Sequence, residues 1–151
     1  MKIYTASSWK NKYYDDVVEW LRHDGHDVYD FRTAISTPGK SVAFDWYQID
    51  TTWEEWTPEE FAHSIKNPLA LNAFKSDYEG MIKSDVCILI LPCGRSSHIE
   101  AGFMKGLGKK LYIYMPSKER PELTYSIADG IYTHIGALTM QLESLEASQC
   151  Q

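Results

Sequence analysis

The sequence lacks the features that mark membrane, metal-binding and nucleic-acid-binding proteins. No apolar run approaches the roughly 20 residues that cross a bilayer, and no apolar leader follows the first residues. None of the three cysteines lies in a CxxC pair or is flanked by histidine at metal-ligand spacing. The 15 Lys and Arg residues are scattered and outnumbered by 21 Asp and Glu, which excludes a basic track for nucleic acid. We expect a cytoplasmic protein that needs no cofactor and acts on a small molecule, away from membranes and nucleic acid polymers.

Short apolar runs alternate with segments of helical periodicity. The strands are predicted over 2–7, 25–31, 86–92, 109–116 and 130–135, and helices over 10–23, 97–107, 122–129 and 136–147. The run VCILILP is nearly continuous, as in a strand buried on both faces of a parallel sheet. The alternation predicts one α/β domain over 1–151, with a five-stranded parallel sheet in the order 2-1-3-4-5 flanked by helices.

An aromatic insertion at about 32–67 interrupts this alternation. It holds three of the five tryptophans, Trp46, Trp53 and Trp56, among acidic residues and turn formers. TPEEF at 57–61 has the composition of a helix start, and a second helix is predicted to begin after residue 67. An insertion of this kind is typical of a lid over a pocket or of a subunit contact.

The segment LPCGRSSHIEAG follows the predicted central strand, where ligands bind in doubly wound sheets. Gly94 allows a tight turn, and the N–H groups of residues 95–98, with the hydroxyls of Ser96 and Ser97, would bind an anion such as phosphate. Glu100 then lies on the first turn of the helix, near the ligand. Alternatively, Glu100 only complements the helix dipole while Ser97 caps the helix.

Several motifs resemble the nucleoside 2-deoxyribosyltransferase superfamily over most of residues 1–135. They are Tyr4, Ala6 and Trp9 around the first strand, SDYEGM at 76–81, and GRSSHIEAG at 94–102 followed by GLGKK. The resemblance implies a flavodoxin-like fold and cleavage of the N-glycosidic bond of nucleosides or nucleoside monophosphates. It also implies that Glu100 is the nucleophile, that Asp77 lies near the base and the nucleophile, and that Tyr4 holds the glutamate.

The chemistry of the reaction agrees with these roles. N-glycosidic cleavage passes through an oxocarbenium-like transition state, which a carboxylate such as Glu100 can stabilise before trapping C1′. A second acid must supply or share a proton with the departing base, and Asp77 is the candidate. Asp45 and Glu79 are possible substitutes, whereas Asp85, just before the buried strand, is predicted to be structural.

Other residues of these segments have two interpretations each. His98 contacts a phosphate or is a solvent-facing helix residue, and Arg95 pairs with a 5′-phosphate or lies on the surface. One of the three insertion tryptophans, Trp46 among them, is expected to stack on the base, although such residues can also form a small core. Cys93 is assigned to packing, because no histidine is predicted beside it.

The C-terminal sequence bears on the acceptor and on assembly. Family transferases complete each site with a polar or carboxylate group from the C-terminal region of a neighbouring subunit, and SLEASQCQ offers nothing similar. This favours water as the acceptor. The serines before Glu100 also resemble the family branch that acts on nucleoside monophosphates. We expect a homodimer or a larger homo-oligomer, because the insertion and the 68–82 helix carry more apolar surface than one small sheet covers.

Two alternatives of other classes stay open. Toll/interleukin-1 receptor (TIR) domains are distantly similar, and some cleave the nicotinamide glycosidic bond of NAD with a glutamate; release of nicotinamide from NAD would distinguish such an enzyme. A non-catalytic nucleotide sensor would bind a nucleotide and would tolerate Gln in place of Glu100.

Overall fold

A computed structural model describes residues 1–36, 40–41 and 43–149, without the side chains of residues 35, 36, 40, 41 and 149. The chain divides into two compact units. Unit 1 consists of residues 1–30 and 81–151, and unit 2 consists of residues 31–80. Most of unit 2 is the predicted aromatic insertion. That residues 1–151 act as a single domain stays a prediction.

Strands and helices alternate along unit 1. The strands of the chain are β1 (Lys2–Ala6), β2 (Asp27–Tyr29), β3 (Ile35–Ser36), β4 (Lys40–Ser41), β5 (Val86–Ile90), β6 (Lys110–Tyr114) and β7 (Gly130–Tyr132). The helices are α1 (Tyr14–His23), α2 (Pro58–Ser64), α3 (Pro68–Lys83), α4 (Arg95–Gly106) and α5 (Ile135–Gln149). None of these helices has the length and apolar character required to cross a membrane, within the part of the chain that is described.

Unit 1 contains a five-stranded parallel sheet in the order β2-β1-β5-β6-β7. Counted among the sheet strands alone, this is the predicted order 2-1-3-4-5, so the predicted fold is confirmed. Every residue of β5 is buried, which explains its continuous apolar sequence. α1 packs on β2, α4 packs on β1, β5 and β6, and α5 packs on β6 and β7.

Besides α4, two predicted helices differ from the structure. α1 begins at Tyr14 rather than at residue 10, because the Asn11 side chain accepts a hydrogen bond from the N–H of Tyr13 at 2.8 Å and holds a turn there. The segment predicted as a helix at 122–129 contains a short 3₁₀ helix, Leu123–Ile127, whose end bonds span three residues. Gly25, with φ of +87°, follows Asp24, the C-cap of α1, and has the backbone conformation that favours glycine there.

Unit 2 contains α2, most of α3 and several short elements. Thr57 caps α2 as predicted, since its hydroxyl accepts from the N–H of Glu60 at 3.2 Å and the Glu60 carboxylate accepts from the N–H of Thr57 at 2.7 Å. α3 begins at Pro68, also as predicted, and Asn67 accepts from the N–H of Leu69. β3 and β4 pair antiparallel. Residues 37–39 and 42 of the insertion lie outside the described residues.

Candidate active site

The predicted site lies where the two central strands end. β1 and β5 are parallel neighbours, and Tyr4 pairs with Cys87 and Ala6 with Leu89. Because the strands are parallel, the segment after Ala6 and the segment after Ile90 emerge at the same edge of the sheet. The Ser7 hydroxyl donates to the carbonyl of Ile90 at 2.9 Å and joins the two segments directly.

α4 begins two residues earlier than predicted. Its first residue is Arg95 and its N-cap is Gly94, which makes no side-chain cap. The predicted cap by Ser97 is therefore wrong, since Ser97 lies within the first turn and its buried hydroxyl donates to the carbonyl of Ser7 at 2.8 Å. Glu100 is consequently on the second turn, where interaction with the helix dipole is weaker, so the dipole gives a poor account of its presence.

Glu100 is half-buried and accepts a hydrogen bond from Tyr4. The Tyr4 hydroxyl lies 3.2 Å from Glu100 Oε2, which is the pairing that the family resemblance implied. Tyr4 is only 1% exposed, and its ring stacks on Tyr29 with centroids 5.2 Å apart and planes within 9°. The strand and the stacked ring leave the phenol little freedom, so Tyr4 presents a fixed donor to the carboxylate.

Asn11 joins the segments that carry the site. It is 3% exposed, and its side-chain N–H groups donate to the Ser7 hydroxyl at 2.9 Å, the Ile90 carbonyl at 3.0 Å and the Pro92 carbonyl at 3.1 Å. A buried amide that satisfies several backbone acceptors fixes the segments it joins, because each bond would be costly to lose. Asn11 therefore fixes the segment after β1 against the segment that leads into α4.

His98 is hydrogen-bonded at both ring nitrogens. Nδ1 lies 2.7 Å from the carbonyl of Gly94, which can only accept, so Nδ1 carries the hydrogen. In the neutral ring Nε2 then accepts from the Tyr125 hydroxyl at 2.9 Å, and the two rings stack within 8°. His98 is half-buried, and its interpretation as a solvent-facing residue is wrong. The contact of His98 with a phosphate stays a prediction.

Cys93 has a histidine beside it, contrary to the sequence-based expectation. Its Sγ lies 3.7 Å from His98 Nδ1, because the first turn of α4 brings residue 98 back over residue 93. Burial, helped by the charge of Glu100 and opposed by a smaller effect of Ser97, raises the pKa of Cys93 to about 12. Burial also raises the pKa of Cys87, with a smaller contribution from Glu100. Both thiols stay neutral at physiological pH, which agrees with the assignment of Cys93 to packing rather than to nucleophilic attack.

The other predicted residues of unit 1 lie along the same edge. Ala6 is fully buried in β1, whereas Gly94, Arg95 and Ser96 are exposed at the start of α4. Gly94 has φ of −89°, and a side chain there would meet no atom within 4 Å, so the turn does not require glycine. Asp85 is structural, as predicted: its carboxylate accepts from the N–H of Lys2 at 2.9 Å.

Three predicted residues belong to unit 2. Asp77 is half-buried in α3. Asp45 caps the 3₁₀ helix Trp46–Gln48 and accepts from the N–H of Tyr47 at 2.8 Å. Trp46 contacts other aromatic rings of unit 2 edge to face. The roles of Asp77, Asp45 and Trp46 toward a substrate stay predictions.

Sequence reasoning missed Asn11, Ser7 and Tyr125. Asn11 and Ser7 lie in the loop ASSWKNK directly after β1, a position that could have drawn attention because loops at this edge hold ligands. Nothing in the sequence around Tyr125 indicates a partner 27 positions away. Across the described ranges 1–36, 40–41 and 43–149, no group of three or more His, Cys, Asp and Glu side chains could hold a metal ion.

Comparison with known proteins supports the fold. No family model and no curated protein matches the chain. Among solved structures, it is similar to a 2-deoxyribosyltransferase from the psychrotolerant bacterium Bacillus psychrosaccharolyticus, with 20% identity over 91% of this chain and 90% of that chain and a TM-score of 0.61. It is also similar to the CMP N-glycosidase BcmB of Clostridium botulinum, with 17% identity over 95% and 99% of the two chains and a TM-score of 0.50. The chain thus has the α/β fold of the superfamily that its sequence resembles.

Proposed function

We propose that this protein cleaves the N-glycosidic bond of a nucleoside or nucleoside 5′-monophosphate, with Glu100 as the nucleophile. The observation that carries the proposal is the half-buried Glu100 carboxylate held by the Tyr4 hydroxyl at the carboxyl edge of the two central strands. The two solved structures of the same fold, a deoxyribosyltransferase and a CMP N-glycosidase, support this class of substrate.

The reaction requires little beyond a positioned carboxylate and an acid. A Glu100 oxygen attacks C1′ of the sugar as the bond to the base breaks, and the base leaves with the bonding electrons and takes a proton. The resulting glycosyl ester is then attacked at C1′ by water or by another base, which releases Glu100 as a carboxylate. Tyr4 fixes the orientation of the carboxylate and disperses its charge before attack.

Asp77 remains the proposed proton donor to the leaving base. The carboxylate of Asp45 already accepts the N–H of Tyr47 as a helix cap, which makes Asp45 a weaker candidate. Glu79 is exposed in α3 and stays the second substitute. An acid that protonates the base is needed least when the base is a good leaving group, so substituting Asp77 should affect poor leaving groups most.

A 5′-phosphate is proposed to bind at the start of α4. The N–H groups in the first turn of a helix have no partner within the helix, the side chains of Arg95 and Ser96 are exposed there, and the helix dipole favours an anion. Ser97 donates its one hydroxyl hydrogen to the carbonyl of Ser7, so we assign it to positioning the turn. Ser96 is then the serine whose hydroxyl is proposed to donate a hydrogen bond to the phosphate.

The acceptor and the assembly follow the sequence-based expectations. Water is the proposed acceptor, because the serines before Glu100 resemble the family branch that hydrolyses nucleoside monophosphates. A homodimer or larger homo-oligomer is proposed on the same resemblance. Sedimentation at micromolar concentration tests the assembly, and base exchange in the presence of a second free base tests the acceptor.

The experiment that tests the function is a substrate panel with a matched pair of variants. Purified protein is incubated with nucleosides, nucleoside monophosphates and NAD, and released bases are separated by chromatography. We expect release from at least one nucleoside or monophosphate, and a loss of several powers of ten in Glu100→Gln. Glu143→Gln, the same change at an exposed position of α5, should retain full activity. Normal turnover by Glu100→Gln would contradict the proposal. Release of nicotinamide from NAD, with no base released from any nucleoside or monophosphate, would show that the protein is an NAD-cleaving enzyme instead.

A further inference from the structure

Unit 2 contains a cavity that the glycosidic chemistry does not use. Its volume is about 220 Å³, and it is lined by Trp46, Trp53, Glu54, Trp56 and Phe61. Pockets for drug-sized ligands begin at about 300 Å³, so this cavity suits a small group. Four of the lining residues are aromatic, and the one charged lining residue, Glu54, is exposed.

Two of the ring pairs that line the cavity meet edge to face. Trp46 meets Trp56 at an interplanar angle of 77° and Phe61 at 66°, with centroids 5.7 Å apart in both pairs. A planar base would need two parallel faces to stack between. Walls that meet near right angles suit instead a compact, roughly spherical group that touches several ring faces at once.

The sequence that contains the lining residues is acidic. Residues 43–64 contain six acidic residues and no Lys or Arg. The acidic residues are Asp45, Asp50, Glu54, Glu55, Glu59 and Glu60. Within the described part of the chain Glu54 has no hydrogen-bond or ion-pair partner, so its carboxylate is available to a ligand. Aromatic faces and carboxylates both attract cations, and together they disfavour anions.

We propose that this cavity binds a methylated ammonium group, of the kind carried by choline or a methylated amine, between the Trp46, Trp53 and Trp56 rings and the Glu54 carboxylate. A quaternary ammonium group has the required shape and charge, and it is held by ring faces rather than by directional hydrogen bonds. The proposal is independent of Glu100. It also gives Trp46 a ligand other than the base that the sequence-based expectation assigned to it.

The cavity is partly organised before any ligand arrives. The Trp56 indole Nε1–H donates to Asp50 Oδ2 at 2.8 Å, which fixes the plane of that ring. Hydrogen bonds from the backbone N–H of Thr52, from Trp56 and from the Thr52 hydroxyl lower the pKa of Asp50, so it stays a carboxylate at physiological pH. A ring held in place loses less conformational freedom when a ligand binds.

The test uses the five indole N–H signals of ¹⁵N-labelled protein, titrated with choline chloride. The signals of Trp46, Trp53 and Trp56 should shift and saturate, while those of Trp9 and Trp20, both half-exposed in unit 1, stay in place as internal controls. The neutral isostere 3,3-dimethylbutan-1-ol should bind about tenfold more weakly, because it lacks the charge.

Two variants isolate the carboxylate. Glu54→Gln should weaken choline binding about fivefold, whereas Glu55→Gln, which removes the same charge outside the cavity, should change it less than twofold. The spectra themselves show whether each variant is folded.

Three results would overturn the proposal: no saturable shift with choline, equal binding of the alcohol and choline, or equal loss in both variants. If free cytosine or adenine saturated the three signals and choline did not, the cavity would be a nucleobase site instead, as the sequence-based expectation had it. Because this test measures binding, absence of choline binding would not contradict the proposed role of Glu100. Absence of base release would likewise not contradict the proposed cation site.

Discussion

The two units of this protein hold their functional groups in different ways. In unit 1, buried side chains bridge segments far apart in sequence, as Asn11 does with Ile90 and Pro92 and Tyr4 does with Glu100. Unit 2 contains contacts that are local in sequence, such as the exposed capping box of Thr57 and the part-buried bond from Trp56 to Asp50. The difference suits the two proposed tasks, since bond cleavage requires precise placement and cation binding requires only ring faces and charge.

The largest effect is expected from Asn11→Ala in unit 1. The change removes the buried amide that donates to the carbonyls of Ile90 and Pro92, and we expect the free energy of unfolding to fall by about 2 to 4 kcal/mol. Denaturant unfolding measures it. Asn67→Ala, which removes one exposed cap in unit 2, is the matched control and should cost about 1 kcal/mol or less. Equal losses would mean that the two units are not held differently.

Tyr4→Phe should separate catalysis from stability within unit 1. The ring still stacks on Tyr29, but Glu100 loses the hydrogen bond from the Tyr4 hydroxyl, so kcat for base release should fall about ten- to a hundredfold. Tyr14→Phe is the control: its buried hydroxyl bonds Thr5 and Asp30 rather than Glu100. Removing that hydroxyl should lower stability and leave kcat within about threefold. If both variants lost kcat equally, Tyr4 would be a structural residue only.

The long-range interactions of Asp129 in unit 1 can be tested by the pH dependence of stability. Partial burial alone would raise its pKa, but the N–H of Leu111 and the ammonium groups of Lys105 and Lys110 lower it to about 2. Its contribution to stability is present above about pH 4 and lost as pH falls toward 2, because the unfolded carboxyl takes up its proton first. Asp129→Asn should therefore cost about 1 kcal/mol at pH 7. Chemical unfolding of both proteins is followed from pH 7 to 2. If the difference in free energy of unfolding between wild type and Asp129→Asn grew as the pH fell, the predicted loss of stabilisation in acid would be contradicted.

The smallest effect is expected from Thr57→Ala in unit 2. Loss of the capping box should cost about 0.5 to 1 kcal/mol and should appear as faster amide exchange in α2 alone. Glu60→Gln keeps an acceptor for the N–H of Thr57 and should leave exchange nearly unchanged. Faster exchange in β5 would show that unit 2 is coupled to the sheet more strongly than its local bonds suggest.

The sequence predicted the sheet well because its strands are marked by composition. VCILI can only be a buried strand, and placing it beside KIYTA fixes the order of the sheet. The pairing of Tyr4 with Glu100 came from the family resemblance, since no local pattern joins residues 96 positions apart. The first turn of α4 was misplaced because Ser97 resembles an N-cap, whereas its hydroxyl satisfies the carbonyl of Ser7. Asn11 was missed for the same reason: the partners of a buried amide are set by the tertiary fold, and a loop sequence does not reveal them.

The most direct test of the central claim is to trap the intermediate. Protein is incubated with a 2′-fluoro analogue of a cleaved substrate, which slows breakdown of a glycosyl ester, and is then quenched in acid, digested and analysed by mass spectrometry. We predict that one sugar is attached to the peptide containing Glu100, that the modification maps to that residue, and that Glu100→Gln carries none. A modification on any other residue, or turnover with no covalent species while the native substrate is cleaved, would contradict the assignment of Glu100 as the nucleophile.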